Sequence, residues 1–117
     1  MSDHFHLFVY GTLRSDGSAA SLLANCERIA AAEVGGVLYD IDGEYTALVL
    51  YGNTPVAGEI WRCPSDLLPE IDTYEGVEDG LFRRVGVSVW QPTGDVACWT
   101  YVAGPALARK LVSTRRR

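Results

Sequence analysis

The sequence predicts an α+β domain built on a small, curled, mixed β-sheet or barrel. Its 117 residues are enough for one domain with a real core. About six short apolar or alternating segments are typical of strands, and two or three short segments are typical of helices. A glycine pair, Gly35-Gly36, interrupts one predicted strand, and such bends let a small sheet curl. We expect a single domain over residues 1–117, with its core at about 5–102 and a C-terminal helix and basic tail at 103–117.

The first half of the chain contains mostly strand signals. The apolar run Phe5–Val9 predicts a buried first strand. Residues 19–24 predict a short helix, because leucine and alanine favour helices and the polar residues just before them can cap it. A turn is expected at Asp42-Gly43. The other strands are predicted at residues 28–41, with the break at the glycine pair, and then at 47–51 and 56–61.

The main helix is expected between Ser65 and Glu75. Ser65 is a suitable N-cap residue. Pro69 leaves two possibilities, either an irregular first turn or a helix that begins at the proline. Gly76 is expected to end the helix. Two strands are predicted to follow at 82–90 and 96–102, and a short helix at 105–112.

The charge distribution argues against nucleic acid as a partner. The net charge is −5, and without the terminal Arg115–Arg117 the chain has 15 acidic and 7 basic residues. Such a surface lacks the positive field that phosphate backbones require. No apolar stretch approaches the roughly 20 residues of a membrane span, and Asp3, His4 and His6 interrupt any run like a signal peptide. We expect a soluble, cytoplasmic monomer or homodimer without nucleic-acid or membrane partners.

The cysteines and histidines predict neither disulfides nor a metal site. Cys26, Cys63 and Cys98 are odd in number and far apart, without a C-x-x-C pair. Reduced thiols that act as small hydrophobic residues are therefore expected. His4 and His6 can share one face of a strand, but no third metal ligand is indicated.

A candidate anion-binding turn follows the first strand, at Tyr10-Gly11-Thr12-Leu13. A glycine at the end of a strand lets the backbone turn sharply or approach a ligand closely. Consecutive backbone N–H groups in such a turn can point together at a carboxylate or phosphate. The stretch lacks the pattern of a P-loop or a dinucleotide fingerprint, so an ordinary turn is the alternative.

Glu75 is the candidate general acid/base. Helical spacing places it on the apolar side of the main helix, close to Ile71. Burial, the negative end of the helix dipole and the nearby Asp72 would each raise its pKa, which suits proton transfer near neutral pH. The alternative is an ordinary surface glutamate at a helix end. Glu59 and Asp72 are weaker candidates, and Arg84 is expected to offset nearby acidic residues rather than bind substrate.

Two segments together resemble the gamma-glutamylcyclotransferase-like superfamily. One is the strand that runs into Tyr10–Leu13. The other is the helix at 67–76 followed by Phe82-Arg83-Arg84, similar to the family's leucine–aspartate–x–x–glutamate–glycine and tyrosine–x–arginine blocks. The resemblance covers about residues 5–102 and is closest to the short gamma-glutamylamine cyclotransferase branch. Among the departures from the family pattern, Thr46 stands where proline is expected.

The resemblance implies a cofactor-free cyclotransferase that converts a γ-glutamyl amide or amine to 5-oxoproline and a free amine. The substrate's own α-amine would attack its own γ-carbonyl, so neither a protein nucleophile nor a metal is required. Glu75 would be the catalytic proton shuttle. Tyr10, Gly11, Thr12 and Leu13 would hold the substrate α-carboxylate through backbone donors. The identity of the leaving amine stays open, as does a non-catalytic binding module for a small carboxylated metabolite.

Overall fold

The computed structural model describes residues 3–11, 20–41 and 45–111, and it confirms the predicted α+β class. Two α-helices lie after the fifth and the seventh strand: α1 is Leu68–Tyr74 and α2 is Pro105–Leu111. The seven strands of the described part are β1 His4–Val9, β2 Glu27–Gly35, β3 Val37–Ile41, β4 Tyr45–Val49, β5 Pro55–Pro64, β6 Phe82–Val89 and β7 Val96–Ala103.

Five of the strands form one mixed sheet in the order β2-β5-β1-β7-β6. The pairing of β1 with β7 is parallel, and the other pairings in this sheet are antiparallel. The hairpin of β3 and β4 is a separate two-stranded sheet. An isolated bridge between Glu33 and Trp90 brings the two edges of the large sheet together at one point. The sheet is therefore curled as predicted, but it is not a closed barrel.

The central strand β1 is buried on both faces. Leu7 and Val9 belong to a core cluster that includes Ile71 of α1 and Leu107 of α2. Phe8 points to the opposite face, because side chains alternate along a strand, and it belongs to a second cluster with residues of β2, β4, β5 and β7. The turn after β1 therefore starts from a rigidly packed strand.

The start of the main helix follows the first of the two possibilities that Pro69 left open. Residues Ser65–Leu67 form a 3-10 turn, and the α-helical part begins at Leu68 with the proline in its first turn. The expected N-cap role of Ser65 is wrong, because the N-cap position of α1 is Leu67 and makes no side-chain capping bond. Proline is tolerated here because a first-turn N–H has no helical acceptor.

The end of α1 is a Schellman motif around Gly76, as the sequence predicts. Gly76 has φ +66°, and its N–H donates to the Thr73 carbonyl at 3.1 Å. The N–H of Val77 donates to the Asp72 carbonyl at 3.1 Å. These bonds satisfy the last carbonyls of the helix and leave Glu75 at the C-cap position.

Four further expectations are corrected or lie outside the described residues. The short helix expected at 19–24 is a 3-10 turn over Ala20–Leu23 in its described part. The strand expected at 47–51 ends at Val49. The expected turn at Asp42-Gly43 and the terminal arginines lie outside the described residues. Within residues 3–11, 20–41 and 45–111, none of the helices has the length and apolar character needed to cross a membrane.

Candidate active site

Tyr10 and Gly11, the described half of the predicted anion-binding turn, directly follow β1. Thr12 and Leu13 lie outside the described residues. The Tyr10 hydroxyl donates to the carbonyl of Tyr101 at 2.6 Å and accepts from the N–H of Leu48 at 3.0 Å. The phenol therefore fastens the β3–β4 hairpin to β7. Both hydrogen bonds of the Tyr10 hydroxyl are made within the fold. The candidate ligand-binding group is therefore the backbone that follows Tyr10.

Gly11 has the conformation that makes a glycine necessary. Its φ is +65°, in the left-handed region that residues with a side chain rarely adopt. A Cβ atom at this position would lie 2.8 Å from Oγ1 of Thr46. The backbone of the turn and the hairpin strand β4 therefore approach each other more closely than an alanine would allow.

Glu75 is partly buried at the C-terminal end of α1. Burial raises the pKa of its carboxyl from the ordinary 4.5 to about 7. The backbone N–H of Glu75 donates to the carbonyl of Ile71, a residue that is fully buried in the core. The partial burial of the Glu75 side chain agrees with a position towards the apolar side of the helix, as its spacing in the sequence indicates.

The charge of Glu75 acts on the turn after β1. Burial chiefly raises the pKa of the Tyr10 phenol, the Leu48 N–H lowers it, and the negative charge of Glu75 adds to the rise. Burial and Asp72 raise the pKa of the Tyr101 phenol, to which Glu75 makes a smaller contribution. The charge of Glu75 therefore reaches the Tyr10 phenol, although 65 positions separate the two residues in the sequence.

The sequence suggested that Asp72 raises the pKa of Glu75, but the Asp72 carboxylate is paired with other groups. Its Oδ1 accepts hydrogen bonds from the Tyr101 hydroxyl at 2.6 Å and from Nε of Arg84 at 2.9 Å. The Arg84 guanidinium also lies 4.5 Å from the centre of the Trp99 ring. Asp72 is thus paired with a cation, and burial is the cause of the raised pKa of Glu75. The network ties α1 to β6 and β7 and so holds the C-cap in place.

Glu59 on β5 is a buried acid that the sequence analysis ranked only as a weaker candidate. Its side chain accepts from Nε of Arg28 at 3.0 Å and from Nε1 of Trp61 at 3.1 Å. It lies opposite Val9 in the pairing of β1 with β5. The sequence feature that could have indicated this buried, paired carboxylate is an acidic residue inside an apolar strand, two residues before a tryptophan.

Thr46 is the other residue at this site that the sequence did not single out as functional. Its Oγ1 atom is buried and has no hydrogen-bond partner in the described part of the chain. Thr46, Tyr10 and Gly11 line a cavity of about 380 Å³ between the hairpin and the start of β5. In the same described part, no group of three or more acidic, histidine or cysteine residues is arranged to hold a metal ion.

Comparison with known families identifies the class of protein. The chain belongs to the family described as gamma-glutamyl cyclotransferase, AIG2-like, whose model matches residues 7–115. The resemblance seen in the sequence is therefore confirmed at the level of the family. No curated protein matches the chain.

Solved structures confirm the fold. An AIG2-like protein of Mus musculus superposes with a TM-score of 0.80 at 18% identity, over 99% of this chain and 87% of the mouse chain. The protein c4763 of uropathogenic E. coli gives 0.73 at 17% identity, over 99% and 88% of the two chains. A structure described as gamma-glutamyl cyclotransferase gives 0.71 at 18% identity, over 86% and 66%.

Proposed function

We propose that this protein is a cofactor-free cyclotransferase that converts a γ-glutamyl amide or amine to 5-oxoproline and a free amine. The observation that carries the proposal is the Glu75 carboxyl, whose pKa is raised to about 7 by burial and whose charge reaches the Tyr10 phenol. A carboxyl with such a pKa can accept and return a proton at neutral pH. Membership of the gamma-glutamyl cyclotransferase, AIG2-like family supports the reaction type.

Substrate binding is assigned to the turn Tyr10-Gly11-Thr12-Leu13. We propose that its backbone N–H groups bind the α-carboxylate of the γ-glutamyl group. The positive φ of Gly11 and the fixed Tyr10 phenol support this role, because they set the direction of the backbone as it leaves β1. A carboxylate held here would keep the neighbouring α-amine close to Glu75.

The proposed reaction needs one bond to form and one to break. The neutral α-nitrogen attacks the γ-carbonyl carbon, and Glu75 accepts a proton from that nitrogen. Glu75 then donates the proton to the leaving nitrogen as the bond between this nitrogen and the carbonyl carbon breaks. Water, a metal and a redox partner take no part in this balance. Holding the substrate folded on itself supplies much of the rate, because the attack is intramolecular.

The test is release of 5-oxoproline by the wild type and by Glu75→Gln, measured with a panel of γ-glutamyl amines and peptides. Glutamine keeps the size of the side chain but cannot take up the proton. We expect kcat to fall by about 10²- to 10⁴-fold, the usual contribution of general acid–base catalysis. Glu78→Gln is the matched control, because Glu78 is exposed in the turn after α1, and it should keep wild-type turnover.

Two results would contradict the proposal. Equal turnover by the wild type and by a folded Glu75→Gln variant would remove Glu75 from the chemistry. Binding of 5-oxoproline or of a γ-glutamyl amine without any product would favour the alternative of a non-catalytic binding module. The panel also identifies the leaving amine, for which neither fold nor family gives an assignment. A cytoplasmic location, expected from the unpaired Cys26, Cys63 and Cys98, is testable by cell fractionation.

A further inference from the structure

The hydroxyl of Thr46 is a buried polar group that the fold itself leaves unused. Thr46 lies on β4, opposite Asp40 of β3. Its Oγ1 has no hydrogen-bond partner among the described residues, and it stands out there as the one buried side-chain oxygen or nitrogen in this state. Burying a hydroxyl without a partner costs free energy. Such atoms are usually found where a ligand or water completes the bond.

The position of this hydroxyl is next to the candidate anion-binding turn. Oγ1 lies 2.8 Å from the point where a Cβ atom of Gly11 would be. The missing side chain of Gly11 therefore leaves the Thr46 hydroxyl directly beside the backbone that we assign to carboxylate binding. Both residues line the same cavity of about 380 Å³, which is within the size range of small-ligand sites.

The described lining of the cavity contains no charged side chain. The Tyr10 hydroxyl is already engaged with Tyr101 and Leu48. Thr54 is exposed. The remaining described residues of the lining carry uncharged side chains or are glycine, namely Gly36, Val37, Leu38, Pro55, Val56 and Ala57. An anion bound here would rely on neutral donors, as in an oxyanion hole, and the Thr46 hydroxyl is a donor of that kind.

We propose that Thr46 is a specificity-determining residue whose hydroxyl donates a hydrogen bond to the carboxylate of the ligand held against Gly11. The inference rests on the proposed function, which identifies that ligand as the γ-glutamyl group of the substrate or the 5-oxoproline product. The hydroxyl selects ligands that carry the α-carboxylate over ligands of the same ring or chain without it. The hydroxyl has no hydrogen-bond partner within the described part of the fold, so it is free to donate to the carboxylate of the ligand.

The test combines two variants with two ligands. Thr46→Val replaces the hydroxyl by a methyl group at nearly the same volume, and Thr46→Ser keeps a hydroxyl. The probes are 5-oxoproline and 2-pyrrolidinone, which has the same ring but lacks the carboxylate. Dissociation constants are measured by calorimetry. Thr46→Val should weaken 5-oxoproline binding about 10- to 100-fold and change 2-pyrrolidinone binding less than about twofold. Thr46→Ser should bind both ligands with an affinity close to that of the wild type.

The stability of the ligand-free variants separates ligand recognition from a structural role. Because the hydroxyl has no partner in the fold, Thr46→Val should unfold at the same temperature as the wild type or higher. A lower Tm together with equal weakening of both ligands would assign the hydroxyl to the fold and overturn the inference. Wild-type affinity of Thr46→Val for 5-oxoproline, or failure of the wild type to bind it at all, would also overturn it.

The inference and the proposed function fail in different ways. Binding of 5-oxoproline that depends on Thr46, without turnover of any γ-glutamyl compound, would retain Thr46 as a carboxylate selector and reject the cyclotransferase. Turnover by the wild type that Thr46→Val matches in KM and kcat for every substrate would retain the cyclotransferase and reject the role of Thr46.

Discussion

Two glutamates, the buried Glu59 in β5 and the partly buried Glu75 at the end of α1, have opposite environments. Glu59 is only 4% exposed, but its carboxylate accepts hydrogen bonds from Arg28 and Trp61. Glu75 is less buried than Glu59, and burial nevertheless raises its pKa to about 7. The comparison teaches that burial alone does not make an acid suitable for proton transfer. What matters is whether the fold also supplies a cation and donors that stabilise the ionised form.

The pH dependence of turnover should show the strongest contrast between the two glutamates. If Glu75 is the proton acceptor, kcat/KM should rise with a free-enzyme pKa of about 7. At pH 5 its ionised fraction, and with it this contribution to the rate, is about 100-fold below that at high pH. Glu59→Gln should keep the same midpoint, because the Glu59 carboxylate is held by Arg28 and Trp61. A midpoint that moves with Glu59 and not with Glu75 would reverse the comparison.

The next effect concerns stability and comes from the same raised pKa. Because the folded state holds the Glu75 proton more tightly than the unfolded chain, the wild type loses stability as pH rises from about 4.5 to about 7. Below this window both states are protonated and the penalty is absent. Above it the penalty is complete, at up to about 3 kcal/mol.

Urea unfolding at several pH values measures this penalty. Glu75→Gln has no titrating carboxyl, so at pH 8 it should be more stable than the wild type by up to that amount, and the two should converge near pH 4.5. Glu78→Gln, at an exposed position in the turn after α1, is the matched control variant. A difference between Glu75→Gln and the wild type that does not change with pH would show that Glu75 is solvated like an ordinary glutamate.

The last effect is a loss of stability in Glu59→Gln, whereas Glu75→Gln should gain stability. A glutamine offers one oxygen and one NH₂ group, so it cannot accept from both Arg28 and Trp61 as the carboxylate does. We expect the free energy of unfolding at pH 8 to be about 1–3 kcal/mol lower than that of the wild type. Stabilisation by this substitution would indicate that Glu59, like Glu75, is poorly compensated.

Features that depend on residues close together in the sequence were predictable from the sequence alone. The apolar run Phe5–Val9 defined β1, and Gly76 defined the end of α1, because periodicity and capping are local properties. Helical spacing also indicated that Glu75 lies towards the apolar side of α1 with a raised pKa, and in the structure burial raises that pKa. Family membership was also accessible, since the turn after β1 and the end of α1 keep their motif residues.

Contacts between residues far apart in the sequence were not predictable in this way, because they form only when the fold is assembled. The pairing of Asp72 with Arg84, of Glu59 with Arg28 and of Gly11 with Thr46 depends on strand register and on how the β3–β4 hairpin packs over the turn. These contacts join residues 12, 31 and 35 positions apart. Neither periodicity nor capping specifies them, because many registers satisfy the same apolar pattern until the whole core is assembled. That is why burial of Glu75 could be predicted, whereas the compensation of Glu59 and the unpaired hydroxyl of Thr46 could not.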